Sequence, residues 1–306
     1  MQRPQSLKVG DQVVIVATAR KISQEEIQAA INVLRAWGLK VHIGSSIGKA
    51  FHQYAGTDEE RRRDLQQALD NPKIAAIFCA RGGYGSMRIV DDIDFTGFKA
   101  HPKWLVGYSD ITVLHAHIQQ TCGIQSIHAL MPVNFPGLPV HDSSISSLKT
   151  ALFGDSLHYV HAFETPGMGP KNRPGEATGV LVGGNLSLLY ALQGSVSDLN
   201  TQGKILFIED LDEHLYHIDR MILSLKRSGK LKHLSALIVG GMTDMKDNTI
   251  PYGKTAEEII MEHVSEFNYP VVFGFPAGHT KENRALILGR EISLKVEENK
   301  VFLGFD

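Results

Sequence analysis

The chain has 306 residues, 43% hydrophobic and 21% charged, an ordinary globular composition long enough for two moderate domains. A formal net charge of −2 leaves no basic surplus for a phosphate backbone or an anionic membrane, which sets nucleic acid and lipid surfaces aside in favour of a small molecule or peptide. Cys79 and Cys122 are too few and too far apart for a disulfide framework or a CxxC metal site, so a reducing compartment is expected.

The first apolar run, "QVVIVATA", is of strand length and lacks the longer apolar core of a secretory signal; no window reaches the length of a membrane span. A cytoplasmic location is the expectation. From there short β-branched runs alternate with helical patterns, which argues for a parallel sheet covered by helices. "SQEEIQAAINVLRAWG" reads as a capped amphipathic helix ending at Gly38, and "KVHIG" precedes "TDEERRRDLQQALDN", where Thr57 and Glu60 fit a capping box. "IAAIFCA" then runs into "RGGYGSMRIVDDI", "WLVG" into Ser109 and a helix, and "IQSIHAL" into a Pro-rich loop. These five strand–helix steps predict a doubly wound domain over residues 1–164.

Residues 165–177, "TPGMGPKNRPGEA", are dense in glycine and proline and read as a linker. A second domain is expected over residues 178–306. "TGVLVGG" leads to "NLSLLYALQG", "KILFIED" to "EHLYHIDRMILSLKRSG", and "SALIVGG" to "TAEEIIMEHV", while "EISLKVEENKVFLGF" carries a hairpin signal. This domain mixes parallel units with antiparallel strands.

In an open α/β sheet ligands gather beyond the carboxyl ends of the strands, so the loops "ARGGYGS", "GYSD", "IEDLDE" and "GFPAGHTKEN" are the first candidates. Ser109 reads either as the cap of the helix after it or as a nucleophile on a strand-to-helix turn, although Ile111 stands where the usual elbow has a second glycine. Gly82, Gly83 and Gly85 suit a tight turn, an oxyanion donor or a phosphate loop, but they lack the dinucleotide spacing and a GK[ST] ending. Cys79 lies inside an apolar run with no base beside it, the usual setting of an inert buried thiol. A serine nucleophile needs a base, and the base an orienting group. His279 follows an apolar strand in a polar loop, and Glu209 ends the strand "KILFIE", where a carboxylate pays for desolvation and needs a task. No HExxH-like spacing is present, so a zinc mechanism has no support in the sequence.

The segments "ARGGYGSMRIVDDIDF", "HPKWLVGYSDITVLHAHI", "GVLVGGNLSLL", "ILFIEDLDEHLYHIDRMILSL" and "FGFPAGHTKENRALILG" occur in the order and rough spacing of the LD-carboxypeptidases. The chain resembles these serine peptidases of cell-wall recycling, relatives of the microcin C immunity peptidases, over residues 13–302. The resemblance implies a flavodoxin-like, amidotransferase-like N-terminal domain and a smaller β-rich α/β C-terminal domain. It places the nucleophile at Ser109, the acid at Glu209 and the base at His279, with the N–H groups of Gly83 and Asp110 as oxyanion hole. Arg81, Tyr84 and Asn185 are the expected substrate contacts, with Arg81 or the Ser109 helix N-terminus meeting a terminal carboxylate.

The resemblance further implies a murein tetrapeptide or muropeptide substrate, release of its terminal D-alanine, no metal or other cofactor, and a homodimer. Two departures bear on specificity: "ATARKIS" stands where many members have a Pro-Ser pair, and His128, Ala129 and Leu130 where they have His-Gly-Pro. An immunity-type peptidase acting on peptidyl-nucleotide antibiotics is the alternative enzyme. A non-catalytic nucleotide or small-ligand binder is the alternative of another class, and a class I amidotransferase is disfavoured by serine at the elbow.

Overall fold

The computed structural model describes residues 1–139, 141–162 and 172–305. In chain order the first part of the molecule runs β1 (Gln12–Val16), α1 (Gln28–Ala36), β2 (Lys40–Ile43), α2 (Asp58–Asp70), β3 (Ile74–Cys79) and α3 (Thr96–Ala100). It continues through β4 (Trp104–Gly107), α4 (Thr112–His117), β5 (Ser126–His128) and α5 (Ser143–Phe153). Then follow β6 (Leu157–Ala162), β7 (Gly175–Asn185), α6 (Leu186–Ala191), β8 (Ile205–Leu211), α7 (Leu215–Arg227), β9 (Ala236–Thr243), α8 (Ala256–Val264) and β10 (Val271–Val272). The chain closes with β11 (Leu286–Leu288), β12 (Glu291–Val296) and β13 (Lys300–Phe305).

These elements form two compact units, residues 1–155 with 284–289, and residues 156–283 with 290–306. In the first unit β2, β1, β3, β4 and β5 lie side by side in parallel, the flavodoxin-like strand order. Every residue of β4 and all but one of β3 is buried. Successive strand residues face opposite sides, so helices and loops cover both faces of this sheet. β11 adds an antiparallel edge strand by pairing Leu286 with His128 and Leu288 with Ser126. The sequence reading placed that segment in the C-terminal domain; the apolar run "LIL" instead covers the otherwise open edge of β5.

The second unit holds one mixed sheet. β7, β8, β9 and β10 are parallel, while β7, β12, β13 and β6 are antiparallel. The expected hairpin is β12–β13, and the burial of β12 alternates strictly, as for a strand with one wet face. Of the expected linker, residues 165–171 lie outside the described residues, and Gly175 to Ala177 already belong to β7.

Local chemistry explains most element boundaries. α2 starts at the expected capping box, with Thr57 Oγ1 accepting from the Glu60 N–H at 3.2 Å and Glu60 Oε2 from the Thr57 N–H at 2.8 Å. α1 begins at Gln28, later than the pattern suggested: Ser23 and Glu26 do bond reciprocally, but they close a turn that becomes helical only beyond Ile27. After the glycine loop the expected helix is replaced by two single 3-10 turns, Ser86–Arg88 and Val90–Asp92. Beyond them the Asp94 side chain accepts from the Thr96 N–H at 2.8 Å and its backbone is held by Gln66, a local turn that leads into α3. We expect Thr57→Ala to lower the opening free energy of α2 by about 1 kcal/mol. Hydrogen exchange of the α2 amides would read this as roughly fivefold weaker protection, with β1 and β3 unchanged.

Candidate active site

β4 ends at Gly107, Tyr108 stays extended, and Ser109 turns into the left-handed region at φ 62°. Such a conformation costs a non-glycine residue about 1 kcal/mol and persists where the surroundings enforce it. Ile111 supplies one reason, since a Cβ at Gly107 would stand 2.8 Å from Ile111 Cγ1. The side chain at 111 thus packs onto bare backbone at 107, so the glycine needed for a sharp elbow sits before the serine. His115 braces the same strand end. Its Nε2 donates to the Gly107 carbonyl at 2.9 Å and its Nδ1 accepts from Ser126 Oγ at 2.8 Å, and burial lowers its pKa to about 4, so the ring is neutral. Neither the 3-10 turn at Ser109–Ile111 nor α4 has a side-chain cap, and the half-buried Ser109 hydroxyl has no hydrogen bond among the described residues.

The glycine turn lies directly against the serine. A Cβ at Gly82 would meet Ser109 Cβ at 3.1 Å, Ser109 Oγ at 3.2 Å and the Asp110 nitrogen at 3.4 Å. Gly83 beside it is exposed at φ 105°. Asp110 joins elbow and turn: its buried carboxylate accepts from the Ser86 N–H at 2.8 Å. Burial pushes the Asp110 pKa up, against the lowering effect of the Ser86 and Gly85 hydrogen bonds and the Arg61 charge. Arg61, wholly buried and paired with Asp58, donates to the carbonyls of Thr18 at 2.5 Å and Gly85 at 2.9 Å. It therefore ties the Gly85 end of the glycine turn to the segment that follows β1.

The other expected residues of this unit are placed less directly. Arg81 reaches toward Glu26 at 3.5 Å, and Tyr84 is 44% exposed with its ring 6.2 Å from that of Tyr54. Cys79 is fully buried, and desolvation pushes its thiol up to about 12, which leaves it no thiolate at neutral pH.

In the second unit Glu209, on β8, has no exposure. Its Oε2 accepts from His279 Nδ1 at 2.6 Å and from the His279 backbone N–H at 3.1 Å. The carboxylate thereby selects the tautomer in which Nε2 is the basic nitrogen. A Cβ at Gly278 would stand 2.5 Å from Glu209 Cγ, so only glycine lets the loop come this close. Asn283 Oδ1 takes the Gly278 N–H at 2.9 Å, and Thr243 Oγ1 donates to the His279 carbonyl.

Asp210, beside Glu209, faces a different set of donors: Asn185 Nδ2 and the N–H groups of Leu211 and Ser187, each at 2.9 Å. Burial first, and the Glu209 charge second, raise its pKa to about 7. Asn185 is buried as the N-cap of α6 and holds Asp210, an anchoring position that the expected substrate contact did not anticipate. For His279, burial opposes the charged ring, but the hydrogen bond and charge of Glu209, helped by the charge of Asp210, outweigh it and raise the pKa. Sequence reasoning passed over Arg61, His115 and Asn283; for Asp210 the adjacent acid pair in "FIED" was the available signal of a role beyond helix entry.

Residues 13–129 match the LD-carboxypeptidase N-terminal domain and residues 178–294 the LD-carboxypeptidase C-terminal domain. A probable murein peptide carboxypeptidase of Bacillus subtilis is 34% identical over 303 residues, covering 97% of this chain and 92% of its own. The murein tetrapeptide carboxypeptidase of Pseudomonas aeruginosa is 29% identical, covering 94% of each chain. Among solved structures, the muramoyltetrapeptide carboxypeptidase of Oxalobacter formigenes superposes with a TM-score of 0.86 at 28% identity, over 96% of this chain and 98% of that one. The microcin C7 self immunity protein MccF shares the fold, with a TM-score of 0.87 at 23% identity over 99% and 98% of the two chains.

The Glu209–His279 pair has a pH signature. A raised His279 pKa means that the pair's stabilisation is complete below the ordinary histidine value and is lost as pH rises through the folded one. NMR titration of the imidazole should place His279 above the usual 6.5 or so. Glu209→Gln, which removes the compensating charge and leaves the burial, should move the midpoint down; an unmoved midpoint would count against this electrostatic account.

Proposed function

Since the chain belongs to the LD-carboxypeptidase family, whose two domains it matches in order, we propose that it is a serine carboxypeptidase releasing terminal D-alanine from murein tetrapeptides. The observation that carries this reading is the elbow: a serine held at positive φ, its hydroxyl unbonded among the described residues, with the bare backbone of Gly82 and the Asp110 nitrogen against it. A capping serine needs none of this, whereas a nucleophile flanked by backbone donors needs all of it.

In the proposed reaction His279 Nε2 takes the Ser109 proton as Oγ attacks the carbonyl between the L-centre of diaminopimelate or lysine and D-alanine. Glu209 orients the ring and stabilises the imidazolium. The tetrahedral oxyanion rests on the N–H groups of Gly83 and Asp110. Its collapse breaks the C–N bond, His279 returns the proton to the leaving amine, and water activated by the same ring then hydrolyses the ester on Ser109. Arg81 and Tyr84 border the glycine turn as candidate peptide contacts. Two free cysteines, one of them deeply buried, suit a cytoplasmic site of action, and a homodimer is the assembly we infer from the family. At 23% identity the immunity protein supports the shared fold, while the relatives of higher identity are named for murein peptides, which favours the murein reading.

Ser109→Ala should abolish D-alanine release from the tetrapeptide, by several powers of ten, with the circular dichroism spectrum unchanged; Cys79→Ala should keep most of it. The reverse pattern would transfer the nucleophile to the thiol. A nucleotide-binding protein would instead show thermal stabilisation by nucleotides without turnover. EDTA should leave the peptidase activity intact, and its loss on chelation would refute a metal-free serine mechanism.

A further inference from the structure

A cation lies along the glycine turn that the reaction as written does not use. Arg20 follows β1, and its backbone is fixed from two sides: its N–H donates to the Gly82 carbonyl at 3.4 Å, while Ala19 and Lys21 bond across to Ala55 and Gln53 at 3.0 and 2.9 Å. The side chain runs over the bare face of Gly83. A Cβ on Gly83 would stand 2.5 Å from Arg20 Cδ, 2.7 Å from Nε and 2.8 Å from Cγ. The neighbouring residue, Gly82, is the one whose missing Cβ leaves room for the Ser109 hydroxyl. Adjacent Cα atoms are about 3.8 Å apart, so the arginine and the serine flank one Gly-Gly dipeptide.

Among the described residues the exposed Arg20 guanidinium has no hydrogen bond or ion pair. The other arginines around the turn are engaged: Arg61 with Asp58 and two carbonyls, Arg88 with Asp58 at 2.6 Å, and Arg81 toward Glu26. A carboxypeptidase has to recognise a free carboxylate one carbon beyond the scissile nitrogen, hence close to the backbone that receives the oxyanion. A guanidinium is suited to this because its planar fork matches a carboxylate with two parallel N–H···O bonds.

We propose that Arg20 binds the terminal carboxylate of the substrate, an assignment that rests on the carboxypeptidase reading above. Gly83 then has two tasks: it presents an N–H, and its missing side chain is the bed on which the arginine lies.

The test compares a tetrapeptide ending in free D-alanine with the same peptide ending in D-alaninamide. Arg20→Ala should lower kcat/KM on the free acid about 10–100-fold, mainly through KM, and leave the amide within about twofold, so that the preference for the acid collapses. Arg20→Lys should recover part of that preference. Labelling of Ser109 by a fluorophosphonate, which carries no carboxylate, should proceed at the unsubstituted rate in Arg20→Ala. An unchanged acid-over-amide preference in Arg20→Ala overturns the assignment. So does loss of labelling together with turnover, which would make Arg20 a brace for the turn. If the unsubstituted protein releases no D-alanine at all, the underlying reading falls, an outcome distinct from normal release with no dependence on Arg20.

Discussion

Glu209 is a carboxylate with no access to water at the end of a central parallel strand, and much of the second unit is arranged around that fact. Burial of such a charge is tolerable only with close, well-directed compensation. The partner is His279, which offers both its ring and its backbone N–H, and it reaches the strand only because Gly278 has no side chain to fend it off. The same closeness recurs one strand away, where a Cβ at Gly240 would stand 2.4 Å from the Ala277 carbonyl and one at Gly241 2.3 Å from Thr280 Cγ2. The motifs "VGG", "IED" and "PAGH" are thus one electrostatic assembly. Asp210 would add a second uncompensated charge were its oxygens not taken up by the start of α6 and the Asn185 amide.

The first unit applies the same principle to a different end. Asp110 is buried so that its carboxylate can hold the Ser86 N–H, and the charge that balances it, Arg61, also fastens the Gly85 carbonyl of the glycine turn and the Thr18 carbonyl after β1. One acid and one base therefore set the distance between elbow and turn. The strain at Ser109 is kept by this network and by Ile111 packing on Gly107, rather than by any contact of the serine hydroxyl itself.

Features governed by neighbours in the sequence were the most legible. The capping box at Thr57, the β12–β13 hairpin and the parallel strand–helix alternation of the first sheet follow from short-range patterns. Glu209 and His279 were readable because a carboxylate ending an apolar strand and a histidine after a glycine are each out of place unless something compensates them. Arg61 was not, since within "DEERRRD" it looks like one solvated charge among seven, and only the tertiary fold reveals it as wholly buried. Asn185 misled for a related reason: an asparagine after two glycines suits a ligand contact and a helix cap equally, and the choice depends on Asp210, 25 residues away. The helix expected after the glycine turn is instead two 3-10 turns, and the first N–H there, that of Ser86, is taken by Asp110, 24 residues away, a tertiary bond that no local pattern announces.

The return of β11 to the first sheet constrains how the protein is made. β5 is complete as a sequence when Ser126 to His128 have been synthesised, yet its second neighbour is Leu286–Leu288, which emerges only after nearly the whole of the second unit. During translation, at roughly 5–20 residues per second, the nascent first unit therefore carries an open apolar strand edge for several seconds or longer. Such an edge invites pairing with another nascent chain. The first unit of this protein acquires its last strand when the second is already all but built.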